Sequence, residues 1–160
     1  MKGNSEVIKM LQSLLAAEAH ANIWYRNMWR VVAKMGVKGT AKDLHDLGTR
    51  AHHFMRIVKD RILDFKVDTA YTVGEVKDET SLTDTFKVAT EMENSLIDIG
   101  RAGIKLAVSV EDEDTAEKLR HIEERHEENY VWLDEQSSLI AGIGEPMYIG
   151  VHLKKGSASF

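Results

Sequence analysis

SEVIKMLQSLLAAEAHANIWYRNMWRVVAK, residues 5–34, is the stretch whose reading decides the fold. Taken at alternating steps of three and four, it gives Ile8, Leu11, Leu15, Glu18, Asn22, Tyr25, Trp29 and Val32. This is the apolar seam of a bundle helix, with a carboxylate, an amide and a phenol set into its middle. A carboxylate on such a seam is costly to bury unless a positive charge meets it. The rest of the chain must therefore supply a partner for Glu18.

The bulk composition narrows the search for that partner. With 160 residues, 43% of them hydrophobic and 29% charged, the chain is long enough for one domain over residues 1–160 with a real core. A net charge of −5 without a basic run argues against a nucleic-acid surface and suits a protein that attracts cations. Cysteine is absent, which removes disulfides, thiolate metal sites and cysteine nucleophiles. The opening Met1-Lys2-Gly3-Asn4-Ser5-Glu6 is polar, and no apolar run is long enough to cross a membrane, so a cytoplasmic location is expected. One proline, Pro146, and 11 glycines point to an all-α chain.

Outward from the first helix, the glycine-bearing segment Lys34 to Gly39 reads as a helix terminus. Thr40 with Asp43 three residues later reads as the N-cap of a second helix running to about Phe65. Its seam, Leu44, Leu47, Ala51, Phe54, Val58 and Arg61 or Ile62, holds no carboxylate. From about Lys66 to Glu79 the helical period lapses, which fits a long crossover that lets the second and third helices run parallel. Thr80, Ser81 and Asp84 open a third helix with Phe86, Ala89, Glu93, Leu96 or Ile97, Gly100, Ile104 and Ala107 on its seam. After the acidic turn 111–115, a fourth helix carries Leu119, Ile122, His126, Asn129, Leu133, Gln136 and Ile140. A short fifth helix over about 145–153 and a polar tail, 154–160, follow. The fold expected is a four-helix bundle over about 5–142 with a long crossover and a short C-terminal helix.

Glu18, Glu93 and His126 thus fall at mid-helix on three of the four seams, with Asn22, Tyr25 and Asn129 near them. Two carboxylates and an imidazole meeting in a bundle interior suit iron, manganese or zinc, because a cation offsets the desolvation of the carboxylates. The alternative is a Glu–His–Glu hydrogen-bond network without metal. Glu123 stands three residues before His126 in a Glu-x-x-His pair, the spacing that di-metal carboxylate bundles use, which makes it a further candidate ligand at the flank of the seam. His52 and His53 are adjacent, so they diverge around the helix and do not readily share one ion. His20, His45 and His121 read as surface positions, and Trp24, Trp29 and Trp132 as packing residues. No phosphate loop, catalytic triad or nucleophile elbow is present.

The chain resembles the bacterioferritins nearly end to end. The likeness is carried by Met1-Lys2-Gly3, Val7-Ile8, Leu14-Leu15 with Glu18, Tyr25, Arg61-Ile62-Leu63, Glu93, Arg101 with Ile104, Trp132-Leu133, and Gly144 with Tyr148. The resemblance implies a ferritin-like bundle, a hollow homo-oligomeric cage of 24 subunits storing iron, a di-iron oxidation centre in each bundle, and haem at twofold interfaces. Carried across by position, Glu18 and Glu93 match the terminal carboxylates of that centre. The bridging Glu and the histidine of the second helix fall on Ala51 and Phe54. Those of the fourth helix fall on His126 and Asn129, and making Glu123 and His126 the expected pair needs an insertion before Trp132. The family's haem-ligating position holds His52, which could ligate haem as an axial histidine or pack across a dimer.

The expectation is an iron-storage cage subunit with a modified or impaired oxidation centre, Glu18, Glu93 and His126 holding one ion rather than a pair and Tyr25 serving as a redox or hydrogen-bonding neighbour. The alternative is a non-catalytic haem-binding, single-metal or structural subunit assembled with an active paralogue.

Overall fold

The computed structural model describes residues 3–153, so the polar tail 154–160 and the opening Met1-Lys2 lie outside the described residues. Five helices are present: α1 Ser5–Lys34, α2 Lys38–Asp64, α3 Leu82–Ser109, α4 Glu113–Ile143 and α5 Glu145–Leu153. The all-α expectation and the boundaries of the four long helices agree with this to within a few residues. Asn4 caps α1 through its side chain, which accepts from the backbone N–H of Glu6 at 2.9 Å and Val7 at 3.2 Å. Ser81 and Asp112 cap α3 and α4 in the same way, each accepting from the N–H three residues on at 3.1 Å.

One cap differs from the sequence reading. α2 begins at Lys38, with Val37 in the cap position and no side-chain cap bond. The chain turns at Gly36, whose φ of +94° favours glycine, and re-enters a helix too soon for Thr40 to cap it. Thr40 is buried instead, its hydroxyl 3.3 Å from the Tyr148 hydroxyl of α5.

α1 packs against α2, α3 against α4, and the two pairs meet chiefly through α1 and α3. Met10 lies against Gly103, whereas Ala17 and His20 share a groove with Val88 and Met92. Rising along α1 therefore means descending along α3, and since α1 and α2 form a hairpin, α2 and α3 run parallel. Residues 65–81 make the crossover this requires. α1 faces two neighbours, so it buries a second stripe, Val7, Leu14, Ala21, Trp24 and Met28, beside the predicted one. Ile8 and Trp29, at the edge of the predicted seam, are only half-buried.

Near one end of the bundle, the buried Arg61 donates to Thr115 Oγ1 at 2.8 Å and to Asp112 Oδ1 at 2.9 Å, joining α2 to the start of α4. Near the middle, α1 and α2 approach closely at Gly48: a Cβ there would lie 3.0 Å from Tyr25 Cβ. This approach brings the polar seam residues of α1 into the centre of the bundle.

Candidate metal centre

Three of the four long helices, α1, α3 and α4, each deliver one ionisable side chain to the same interior point. Glu18 and Glu93 are fully buried and His126 is 1% exposed. His126 Nε2 lies 2.6 Å from Glu18 Oε2, and Nδ1 lies 2.5 Å from Glu93 Oε2. The imidazole stands between the two carboxylates and bonds to both. Phe54 of α2 closes the fourth side, its ring 4.9 Å from that of His126 and steeply inclined to it.

These distances fix the proton count. A neutral imidazole has one N–H and can donate to one carboxylate, so the second bond needs one further proton, carried by the ring or by the facing carboxyl group. Burial works against the charged ring, but the bonds to Glu18 and Glu93 and their negative charge outweigh it, and the His126 pKa rises to about 10. The raised His126 pKa favours the imidazolium at neutral pH, and wherever the second proton rests along the two bonds, the triad carries one net negative charge. Burial pushes the Glu18 carboxyl above its ordinary value, with the charge of Glu93 adding to the effect and the His126 bond opposing it. Glu18 Oε1 is buried without a hydrogen-bond partner among the described residues.

A polar shell surrounds Glu93. The Tyr25 hydroxyl donates to Glu93 Oε1 at 2.6 Å. Burial, then the charge and bond of Glu93, hold the Tyr25 pKa well above its ordinary value, so the phenol keeps its proton. The Asn129 amide makes a long 3.4 Å contact to the same oxygen, and Arg50 of α2 donates to Asn129 Oδ1 at 2.6 Å. Arg50 also lines a cleft of about 260 Å³ between α2 and α4, so a chain of polar contacts runs from that cleft to the triad. Asn22 takes no part in it, since its side-chain N–H₂ donates to Gly48 O at 2.8 Å.

The structure thus brings together Glu18, Glu93, His126 and Tyr25, and adds Arg50, which the sequence did not flag. A long arginine on an exposed helical position gives no periodic signal that it reaches inward. Glu123 lies elsewhere: its carboxylate accepts from Arg101 Nε at 3.1 Å, and Arg101 also pairs with Glu127. No group of three or more His, Asp or Glu is arranged to hold a metal ion among the described residues. The physical reason is visible in the triad, where His126 occupies the space between the carboxylates and spends both nitrogens on them.

His52 is exposed and lines a separate groove between α1 and α2. Apart from Trp29 and Gly48, the lining of that groove is polar, and it includes Arg26, Arg30 and His45. His20 and His45 are half-buried rather than exposed, while His121 is exposed as expected. Trp24 packs fully inside, its ring 5.3 Å from Tyr25, and Trp29 and Trp132 are half-buried.

The model of the ferritin-like domain matches residues 8–143. The chain belongs to the ferritin family. Its fold is shared with the bacterioferritin BfrA of Mycobacterium tuberculosis, at a TM-score of 0.92 over 99% of this chain and 100% of that one, with 21% sequence identity. No curated protein sequence matches the chain. No described helix is long and apolar enough to cross a membrane.

Proposed function

We propose that the chain is a subunit of an iron-storage shell and that its bundle centre does not oxidise iron as a paired-ion site. Membership of the ferritin family supports the storage role. The observation that carries the second half is the placement of His126, with each ring nitrogen within 2.6 Å of a carboxylate oxygen. A pair of ferrous ions needs bridging carboxylates and open nitrogen donors. Here α2 presents Ala51 and Phe54 where the resemblance would put a bridging Glu and a histidine, and α4 presents an imidazolium. The proton on His126 performs locally what a cation would, offsetting one of two buried carboxylates.

The orphaned Glu18 Oε1 favours a second reading, in which one ion enters beside Glu18 after His126 turns aside. In that reading Glu18, Glu93 and His126 ligate the ion, and Tyr25 is the neighbouring hydrogen-bond donor or redox group. Glu123, engaged by Arg101, belongs to neither reading, whereas haem on His52 between two subunits is a separate proposal, tested by whether a Soret band after haem reconstitution is lost in His52→Ala.

Iron is substrate and cargo in this account, so the test is aerobic addition of ferrous iron to the purified, iron-free assembly. Oxidation at the rate of buffer alone is expected, with faster oxidation only when a separate active subunit is present. Rapid consumption of two ferrous ions per chain by the protein alone would overturn the proposal. A shell of 24 copies, homomeric or mixed, and a cytoplasmic location fit this reading, and mass measurement and fractionation test them.

A further inference from the structure

The groove between α1 and α3 pairs two donor groups that the proposed storage role does not use. It encloses about 380 Å³, with Ala17, Val88 and Leu96 as apolar walls and His20 and Met92 lining it from the two helices. Register explains the pairing. Met10 packs against Gly103 and the helices run antiparallel, so the step from Met10 up to His20 matches the step from Gly103 down to Glu93, the neighbour of Met92. At about 100° per residue, Ala17 and His20 lie across the buried stripe of α1 from Asn22, Arg26 and Trp29. The groove is therefore on the other flank of α1 from the one that holds His52, the position that the resemblance puts at a twofold interface.

His20 stands apart among the seven histidines. His45, His126 and His152 have polar contacts, and His52, His53 and His121 are exposed. His20 alone is half-buried with no hydrogen bond or ion pair to a described residue. Its ring has lost part of its hydration without a protein partner in return, and a neutral imidazole has one nitrogen lone pair to give.

The donor beside it selects the ligand. A thioether is soft and uncharged, and together with imidazole it suits a soft ion such as Cu(I) rather than magnesium, calcium or manganese. No three His, Asp or Glu side chains are grouped to hold an ion among the described residues, so a hard divalent ion lacks a ligand set here. Apolar walls also penalise a double charge more than a single one, and Glu91, exposed at the rim without an ion pair to a described residue, balances a single charge. Methionine turns about three side-chain bonds, so its sulfur reaches into the space left by helix axes about 8–10 Å apart.

We propose that His20 and Met92 bind a soft monovalent cation of the Cu(I) class, held between one imidazole nitrogen and one thioether sulfur. The site uses no triad residue, so it stands or falls apart from the iron reading.

The test is anaerobic competition of the full, iron-free assembly against the colour-forming Cu(I) chelator bicinchoninate, with ascorbate keeping the copper reduced. The assembly should withdraw one Cu(I) per chain with a dissociation constant of about 1 μM or tighter. His20→Gln and Met92→Leu should each weaken this by about tenfold or more, Met92→Cys should retain it through its soft sulfur, and His121→Gln and Met147→Leu should leave it unchanged. Leucine nearly matches methionine in volume and His20 sits at the rim of the core, so the variants are expected to fold, and their circular dichroism checks this. Excess manganous ion should displace no copper. Crystals of the parent soaked in silver(I), a soft ion of the same charge, should show an anomalous peak between His20 and Met92. No withdrawal of Cu(I), binding that the His20→Gln/Met92→Leu double variant leaves unchanged, displacement by manganese, or silver bound only elsewhere would each overturn the proposal.

Discussion

Replacing His126 by leucine tests whether the imidazolium holds the centre of the bundle together. The substitution is near in volume and fills the space beside Phe54, so it removes charge and hydrogen bonds more than packing. It deletes two charge-assisted contacts, at 2.5 Å and 2.6 Å, and leaves Glu18 and Glu93 facing each other in the interior. Breaking a buried ion pair by removing one partner costs about 3–5 kcal/mol. The abandoned carboxylates can reduce that cost by taking up protons, which keeps the estimate from rising further. For a domain of this size each kcal/mol moves the midpoint by about 2–4 °C, so a fall of roughly 6–20 °C is expected at neutral pH. The assay is thermal unfolding by far-ultraviolet circular dichroism at one fixed protein concentration, because assembly adds its own stabilisation. Replacing the whole triad, with Glu18→Leu, Glu93→Gln and His126→Leu together, should recover most of the loss, since no unpaired charge then remains. A His126→Leu midpoint within about 2 °C of the parent would refute the reasoning.

Three further outcomes follow from the same geometry. The His126 pKa is raised from 6.5 to about 10, so its contribution is fully present below pH 6.5 and is lost as pH rises through about 10. The raised Glu18 pKa acts with the same sign; guanidinium unfolding midpoints should therefore fall from about pH 6 to about pH 10, and His126→Leu should flatten that slope. Tyr25→Phe removes the 2.6 Å donor to Glu93 and should cost about 1–3 kcal/mol, measured by denaturant unfolding; a cost near zero would mean that Glu93 is satisfied without it. Arg61→Met leaves Asp112 and Thr115 without their buried partner at the start of α4. It should cost about 2–4 kcal/mol and raise amide exchange in the first turn of that helix, whereas exchange rising only elsewhere would speak against the link.

Much of this was legible in the sequence, for a physical reason. Burying an ionisable residue is costly, so Glu18, Glu93 and His126 at helical seam positions already implied that they meet. Periodicity gave their depth along each helix, and the missing period over 66–79 gave the crossover that sets α2 parallel to α3. Periodicity does not give side-chain direction about a shared point, which is why a metal site and a proton-bridged triad looked alike until the ring nitrogens were placed. The same limit hid Arg50, whose backbone is on the outer face while its guanidinium reaches Asn129. Thr40 was misread because a hydroxyl before a helical pattern suits both a cap and a buried bond, and only the early restart after Gly36 decides between them. Arg61 and Ile62 competed for one seam position, and both proved buried, because Arg61 takes Asp112 and Thr115 with it into the interior.

The claim on which the rest depends is that His126 closes the space a pair of ions would need. Crystals of the assembly soaked anaerobically in ferrous iron, with anomalous diffraction collected at the iron edge, address it directly. The account predicts no paired anomalous peaks between Glu18 and Glu93, with His126 still bonded to both carboxylates and at most one ion beside Glu18. Two iron peaks a few ångströms apart inside the bundle, with the His126 ring swung away, would contradict it.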